Sequence, residues 1–172
     1  MSLSENYFEN RDRIRKRLSV KESFDVLERR LVVAGVEMTF FFIDGFVKDG
    51  EIQRIMQNLL SEKSVGSAKD ILSRLPYVEV DLVHCEEEVL RGVLSGQSAL
   101  ICETFKDSCI MIDARTYPAR PTEEPDSDRV MQGAHDGFVE TLVTNTALIR
   151  RRIRDERLKQ YLQVFPKEVL TG

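Results

Sequence analysis

Apolar and polar positions change period several times along this chain of 172 residues, and each change marks an element. Two runs rich in Val, Ile and Phe, residues 25–33 and 36–43, flank Ala34-Gly35. They predict a β-hairpin, because branched and aromatic side chains fit a pleated surface. Alanine suits a primed turn poorly, since such turns need positive φ, so a loop longer than two residues is expected. After Asp44-Gly45 the period becomes helical, with Ile52, Ile55, Met56, Leu59 and Leu60 on one face. Residues 64–67 interrupt it, and 68–75 resume as a second short helix that Pro76 stops. Residues 78–83 alternate as a strand. Glu86, Glu87 and Glu88 then open a helix at the end where its dipole favours carboxylates. Val89, Leu90, Val93 and Leu94 form its buried stripe, and Gly96 caps it.

A second hairpin is predicted from residues 98–105 and 108–114 around Lys106-Asp107. A two-residue turn there sets Cys102 opposite Met111 and Cys109 opposite Thr104, which forbids a cross-strand disulfide. Ile101, Phe105, Ile110 and Ile112 then share one face, and Leu100, Cys102 and Met111 the other. Apolar residues on both faces call for helices on both sides of the sheet. Residues 7–18 predict a charged helix anchored only by Phe8, Ile14 and Leu18, an arm that docks weakly. Residues 115–134 carry Pro118, Pro121 and Pro125 among Glu123, Glu124, Asp126 and Asp128. Structureless connections of that length are uncommon and tend to be functional or partner-bound. Residues 137–163 read as one long helix with Phe138, Leu142, Ile149, Ile153 and Leu162 on its apolar side. The expected architecture is an α/β fold: a mixed β-sheet built from two hairpins and a middle strand, flanked by helices, with a long C-terminal helix. Its parts are an arm over 1–22, a core over 23–136 and a basic helix over 137–172.

Apolar residues make up 42% of the chain and charged residues 31%, with 25 basic against 29 acidic side chains. That balance is ordinary for a globular domain and excludes a wholesale nucleic-acid binder, which carries a positive excess. No apolar run approaches the eighteen or so residues of a membrane helix, and residues 1–9 lack the apolar run of a secretory signal. Three cysteines without a CxxC spacing exclude a disulfide framework or a zinc ribbon.

Asp44-Gly45 lies between a strand and a helix, where open α/β sheets hold ligand crevices. With no second glycine there is no phosphate fingerprint, and a plain turn is the simpler reading. His84-Cys85 lacks a third ligand at workable spacing, His135 being the other histidine, so it reads as a helix start. Adjacent side chains diverge, which also rules out a Cys–His nucleophile pair. No catalytic constellation, metal or cofactor is expected. Arg150, Arg151, Arg152, Arg154, Arg157 and Lys159 set six cations against Asp155 and Glu156, while the whole chain carries −4. Consecutive arginines diverge around a helix, so no single face binds a row of phosphates. Anionic lipid headgroups, an acidic partner surface and nucleic acid are the candidate targets, beside a solvated helix balanced by the acidic loop. Asn145 shares the side of Phe138, Leu142 and Ile149, where a buried amide needs partners that the Pro-rich loop would supply.

The stretch from Asp113 to Leu158 carries Tyr117-Pro118-Ala119-Arg120, Glu124-Pro125, and Gly133 through Asp136-Gly137-Phe138. It continues with Asn145-Thr146-Ala147-Leu148-Ile149-Arg150-Arg151-Arg152-Ile153-Arg154, and upstream stand Ser23-Phe24-Asp25 and Ile43-Asp44-Gly45. This pattern resembles the soluble N-terminal region of the GerA-type spore germination A subunits, nearest to their stage V sporulation branch. The resemblance implies a protein that helps return dormant spores to growth. It implies a two-part soluble region ahead of several membrane helices, held at the spore inner membrane on the spore-core side with other germination-complex subunits. On that footing the chain is expected to hold the first soluble part, with a second part and a membrane region to follow. Its expected role is a protein-interaction and signal-transmitting module, with a small-molecule germinant sensor as the alternative. An anionic membrane surface is a further expected partner, and nucleic acid is not. The resemblance transfers no catalytic residues. Arg150, Arg151, Arg152, Arg154, Asn145 and Asp44 are the candidate binding or interface residues.

Overall fold

A computed structural model of the chain describes residues 1–47, 49–75, 79–115, 138 and 141–163. Helix α1 (Tyr7–Arg17) precedes a hairpin of β1 (Val26–Val33) and β2 (Val36–Ile43). Helices α2 (Asp49–Leu60) and α3 (Ala68–Arg74) lead to β3 (Val80–Val83), and α4 (Glu86–Leu94) leads to the second hairpin, β4 (Ser98–Cys102) and β5 (Cys109–Ile112). Helix α5 (Leu142–Arg152) closes the order.

The five strands form one sheet in the order β1-β2-β4-β5-β3. The two hairpins and the middle strand are as expected, but the sheet is not mixed, because every pair is antiparallel. Strands β3 and β4 do run the same way, joined by the crossover helix α4. Strand β5 inserts between them, so they never pair and the parallel ladder is avoided.

The first hairpin runs from Val26↔Ile43 to Val33↔Val36, so its loop is two residues and not longer. Ala34 and Gly35 both take positive φ, 47° and 83°, the twist that matches right-handed strands. Ala34 accepts a conformation that a Cβ disfavours, because the eight-residue ladder on either side fixes the turn.

The second hairpin pairs Ser98↔Ile112, Ala99↔Met111 and Leu100↔Ile110. A 3-10 turn over Glu103–Phe105 takes up residues that a two-residue loop would have left in the strands. Cys102 therefore does not face Met111, and an odd shift of register moves side chains to opposite faces. Ile101 packs with Cys109 and Met111, while Ile110 and Ile112 pack with Leu100, Cys102 and Phe105. All three cysteines are free thiols.

Helices cover both faces, as two-sided apolar strands require. On one face α1 and α4 bury Ile14, Val89 and Val93 against Phe41 and Ile101. On the other α2 and α3 bury Ile55, Leu59 and Ile71 against Phe40 and Leu100. The N-terminal segment is not a weakly docked arm. Tyr7, Ile14 and Leu18 are all buried, each worth about 1.5–3 kcal/mol relative to exposure for side chains of this size. Tyr7 Oη and Thr39 Oγ1 share a buried hydrogen bond at 2.7 Å. Arg17 reaches Glu86 at 3.2 Å and Arg13 also pairs with Glu86, which ties α1 to the start of α4. Spacing missed this because Tyr7 and Asn10, both buried, read as polar surface.

The C-terminal helix is 11 residues long, not the long rod expected over 137–163. Ile153 leaves helical geometry at φ −113° and ψ 88°, and residues 153–163 follow without regular structure. The Pro-rich acidic loop lies outside the described residues, and so does the contact expected for Asn145. No helix among the described residues is long and apolar enough to cross a membrane.

Candidate functional site

Helix α5 ends where it does because of Arg150. This side chain is 1% exposed and sits beside Asp25, which is fully buried at the root of β1. Its Nε donates to Asp25 Oδ2 at 2.8 Å and its Nη2 to Asp25 Oδ1 at 3.1 Å, a two-pronged pair. Further donors reach Ser23 Oγ at 3.2 Å, the Asp155 carbonyl at 3.2 Å and the Leu158 carbonyl at 3.0 Å. Those carbonyls can converge on one guanidinium only if the chain leaves the helix after Arg152 and folds back. A buried charge needs this full set of partners, and the need outweighs a continued helical ladder.

The returning segment closes the cluster from the other side. Gln160 Nε2 donates to Asp25 Oδ2 at 2.8 Å and to the Thr146 carbonyl at 3.2 Å. Its main chain pairs with residues 23 and 24: Gln160 N–H donates to Ser23 Oγ at 2.9 Å, and Phe24 N–H to the Gln160 carbonyl at 3.0 Å. Ser23 Oγ in turn donates to Asp25 Oδ1 at 2.5 Å. Asp25 thus receives bonds from Arg150, Ser23 and Gln160, and its own carbonyl accepts from Asp44 N–H at 2.8 Å. Three side chains, from residues 23, 150 and 160, meet on one carboxylate, and Asp44 joins the same residue through the main chain.

Asp44-Gly45 belongs to the same junction, though not as a ligand crevice. A Cβ on Gly45 would lie 2.9 Å from Val143 Cγ1 and 3.1 Å from Ala147 Cβ, and Gly45 has φ +81°. Only glycine permits both the turn and this approach of α5. The space expected for a small molecule at the strand ends is filled by the helix. The cavities among the described residues include one of about 610 Å³ beside β1 and α2, and one of about 260 Å³ between α4 and β3. Neither is lined by Asp44 or Gly45.

The candidate arginines therefore divide. Arg150 is a buried clamp and not a binding surface, whereas Arg151, Arg152 and Arg154 are exposed. Arg154 Nε donates to the Arg151 carbonyl at 3.3 Å and fixes the helix end. Arg157 holds Asp155 with bonds as short as 2.6 Å and keeps that carboxyl at about 2, below the usual range. Asn145 is half-buried within α5, its N–H donating to the Thr141 carbonyl at 3.2 Å. Periodicity did not single out Asp25, Ser23 or Gln160 as partners. Ser23-Phe24-Asp25 stood out only as part of the family pattern. Beside the exposed arginines, Leu142 and Ile153 are each 48% exposed and leave an apolar flank. Among the described residues no group of three or more His, Cys, Asp or Glu could hold a metal ion.

The family described as Bacillus/Clostridium GerA spore germination protein matches residues 12–164. Stage V sporulation protein AF of Bacillus subtilis is 38% identical over 161 residues, covering 91% of this chain and 31% of that protein. Spore germination protein B1 of the same organism is 27% identical over 121 residues, covering 68% and 25%. This chain thus spans less than a third of the length of either relative. The crystal structure of the N-terminal domain of the A subunit of the Bacillus megaterium spore germinant receptor GerK3 superposes with a TM-score of 0.66 at 20% identity. That match covers 91% of this chain and 58% of the other, and it shows a shared fold.

Proposed function

From the premise that this chain belongs to the GerA family of spore germination proteins, we propose that it is a protein-interaction and signal-transmitting module of a germination complex. The complex sits at the spore inner membrane, with this domain on the spore-core side and other germination subunits as its partners. The module has no catalytic role. The observation that carries this reading is the junction around Asp25. It fastens α5 and residues 153–163 rigidly to the sheet while turning Arg151, Arg152, Arg154 and the Leu142–Ile153 flank outward. A displacement imposed on that outer face reaches the strands through a charged, fully bonded contact, not through a flexible tether. The filled space at Asp44-Gly45 stands against germinant sensing at the strand ends.

The test replaces Arg151, Arg152 and Arg154 together by glutamate in the full-length protein in spores. Copurification with the other germination subunits should be lost while the circular dichroism spectrum of the isolated domain is unchanged. Intact assembly in a folded triple variant refutes the interface. Loss of vesicle binding with intact assembly would instead assign the same face to anionic lipid.

A further inference from the structure

Strand β1 and helix α2 line a groove of about 610 Å³, within the size range of small-molecule sites. Its walls are two apolar rows of matching length. Leu27 and Leu31 lie four residues apart on one face of β1, about 13 Å along the strand. Ile52, Met56 and Leu60 recur at every fourth residue of α2, about 12 Å along the helix. Phe42, the register partner of Leu27 on β2, belongs to the same lining. The apolar surface is left unfinished: Leu60 is 53% exposed, and Leu27, Phe42 and Met56 are only half-buried.

One charge interrupts this lining. Arg29 stands between Leu27 and Leu31 on the same face of the strand and is exposed. Among the described residues its side chain makes no hydrogen bond or ion pair. No carboxylate of the groove is free to answer it. Glu28, the one acidic residue of the lining, turns its side chain to the opposite face. There Arg15 at 2.9 Å and Arg30 at 3.2 Å hold it, 6% exposed. From α2 the rim receives Gln53 and Gln57, amides that bring no charge. The result is an apolar groove of medium length with a single positive charge.

We infer that this groove binds a small amphipathic acid, a medium-length alkyl chain bearing one carboxylate. The chain lies between the two apolar rows, and the carboxylate accepts from the Arg29 guanidinium. Charge complementarity selects this occupant. An alkyl amine of the same length brings a cation to a cation. A sugar leaves the apolar rows uncovered, and a neutral alcohol fills them but leaves the guanidinium unanswered. None of the lining residues belongs to α5 or to the Asp25 junction, so the inference stands or falls independently of the assembly reading.

The experiment titrates the 172-residue chain with decanoate, decanol and decylamine below their aggregation limits and follows the methyl resonances by NMR. Decanoate should bind saturably, with shifts centred on Leu27, Leu31, Ile52, Met56 and Leu60. Decanol should bind roughly threefold to tenfold more weakly, the worth of one charge-assisted hydrogen bond at an exposed site, and decylamine more weakly still. Arg29→Met keeps the apolar stem, so it should bring decanoate down to the level of decanol and leave decanol unchanged. Gln57→Glu, at an exposed helix position, should likewise weaken decanoate by placing a carboxylate on the rim. A wild-type chain that ignores decanoate overturns the inference, and so do shifts centred elsewhere. Equal affinity for decanoate and decanol, or decanoate binding indifferent to Arg29→Met, overturns the assigned acid.

Discussion

Replacing Arg150 by methionine tests the buried junction most directly. Methionine keeps the apolar stem and removes the guanidinium, which donates five hydrogen bonds here. Asp25 then keeps only Ser23 and Gln160 as side-chain donors at a site with no solvent access. Breaking a buried pair by removing one partner typically costs 3–5 kcal/mol, so a loss of about that size is expected in urea unfolding. For a chain of this length each kcal/mol moves the midpoint by about 2–4 °C, which gives a fall of roughly 6–20 °C on thermal unfolding. Asp25→Asn combined with Arg150→Met should cost less than the two single changes added, because the stranded charge is gone. Hydrogen exchange supplies a local reading: the Phe24 amide, bonded to the Gln160 carbonyl, should lose protection first. A loss under about 1 kcal/mol, the worth of an exposed ion pair, would refute the clamp.

Ala34→Asn should stabilise the domain by about 0.5–1 kcal/mol in urea unfolding, because asparagine tolerates the positive φ that alanine takes at this turn. Thiol titration of the native domain should find one fast site, the half-buried Cys85. Cys102 should lag, its thiol pushed up by burial, and Cys109 should stay silent until unfolding, since complete burial raises it to about 12. Asp155→Asn should flatten the acid limb of stability. Arg157 lowers the folded pKa of Asp155 from 3.8 to about 2, so its contribution is present above pH 3.8 and disappears as pH falls toward 2. An acid-limb curve identical to wild type would show that the bond to Arg157 has no bearing on folding.

Periodicity located the strands and helices whose apolar spacing is regular. The first hairpin, α2, α3, α4 and both helical layers follow from residues such as Ile52, Ile55 and Val89, whose burial needs nothing beyond the pattern itself. The features that escaped are set by single polar atoms or by turns. Helix α5 stops short because Arg150 needs carbonyls from a returning chain, a demand invisible to hydrophobic spacing. The register of the second hairpin depends on a 3-10 turn that composition does not announce. The role of α1 rests on Tyr7, which shares a hydrogen bond with Thr39 of β2, and on Asn10, a buried amide bonded to the main chain of nearby Ser4. Of the candidate site, Asp44, Asn145 and Arg150 were placed on the segments that meet, and their meeting point, Asp25, was not.

The distance along the chain between Asp25 and Arg150 bears on how the protein is made. A ribosome releases the N-terminal hairpin long before it reaches the arginine, and during that interval the carboxylate at the root of β1 has no cation to neutralise it. A polypeptide interrupted anywhere short of α5 keeps that acid exposed to water, or buries it at a penalty. Incomplete products are thereby distinguishable from finished ones by folding alone, before any protease or chaperone intervenes.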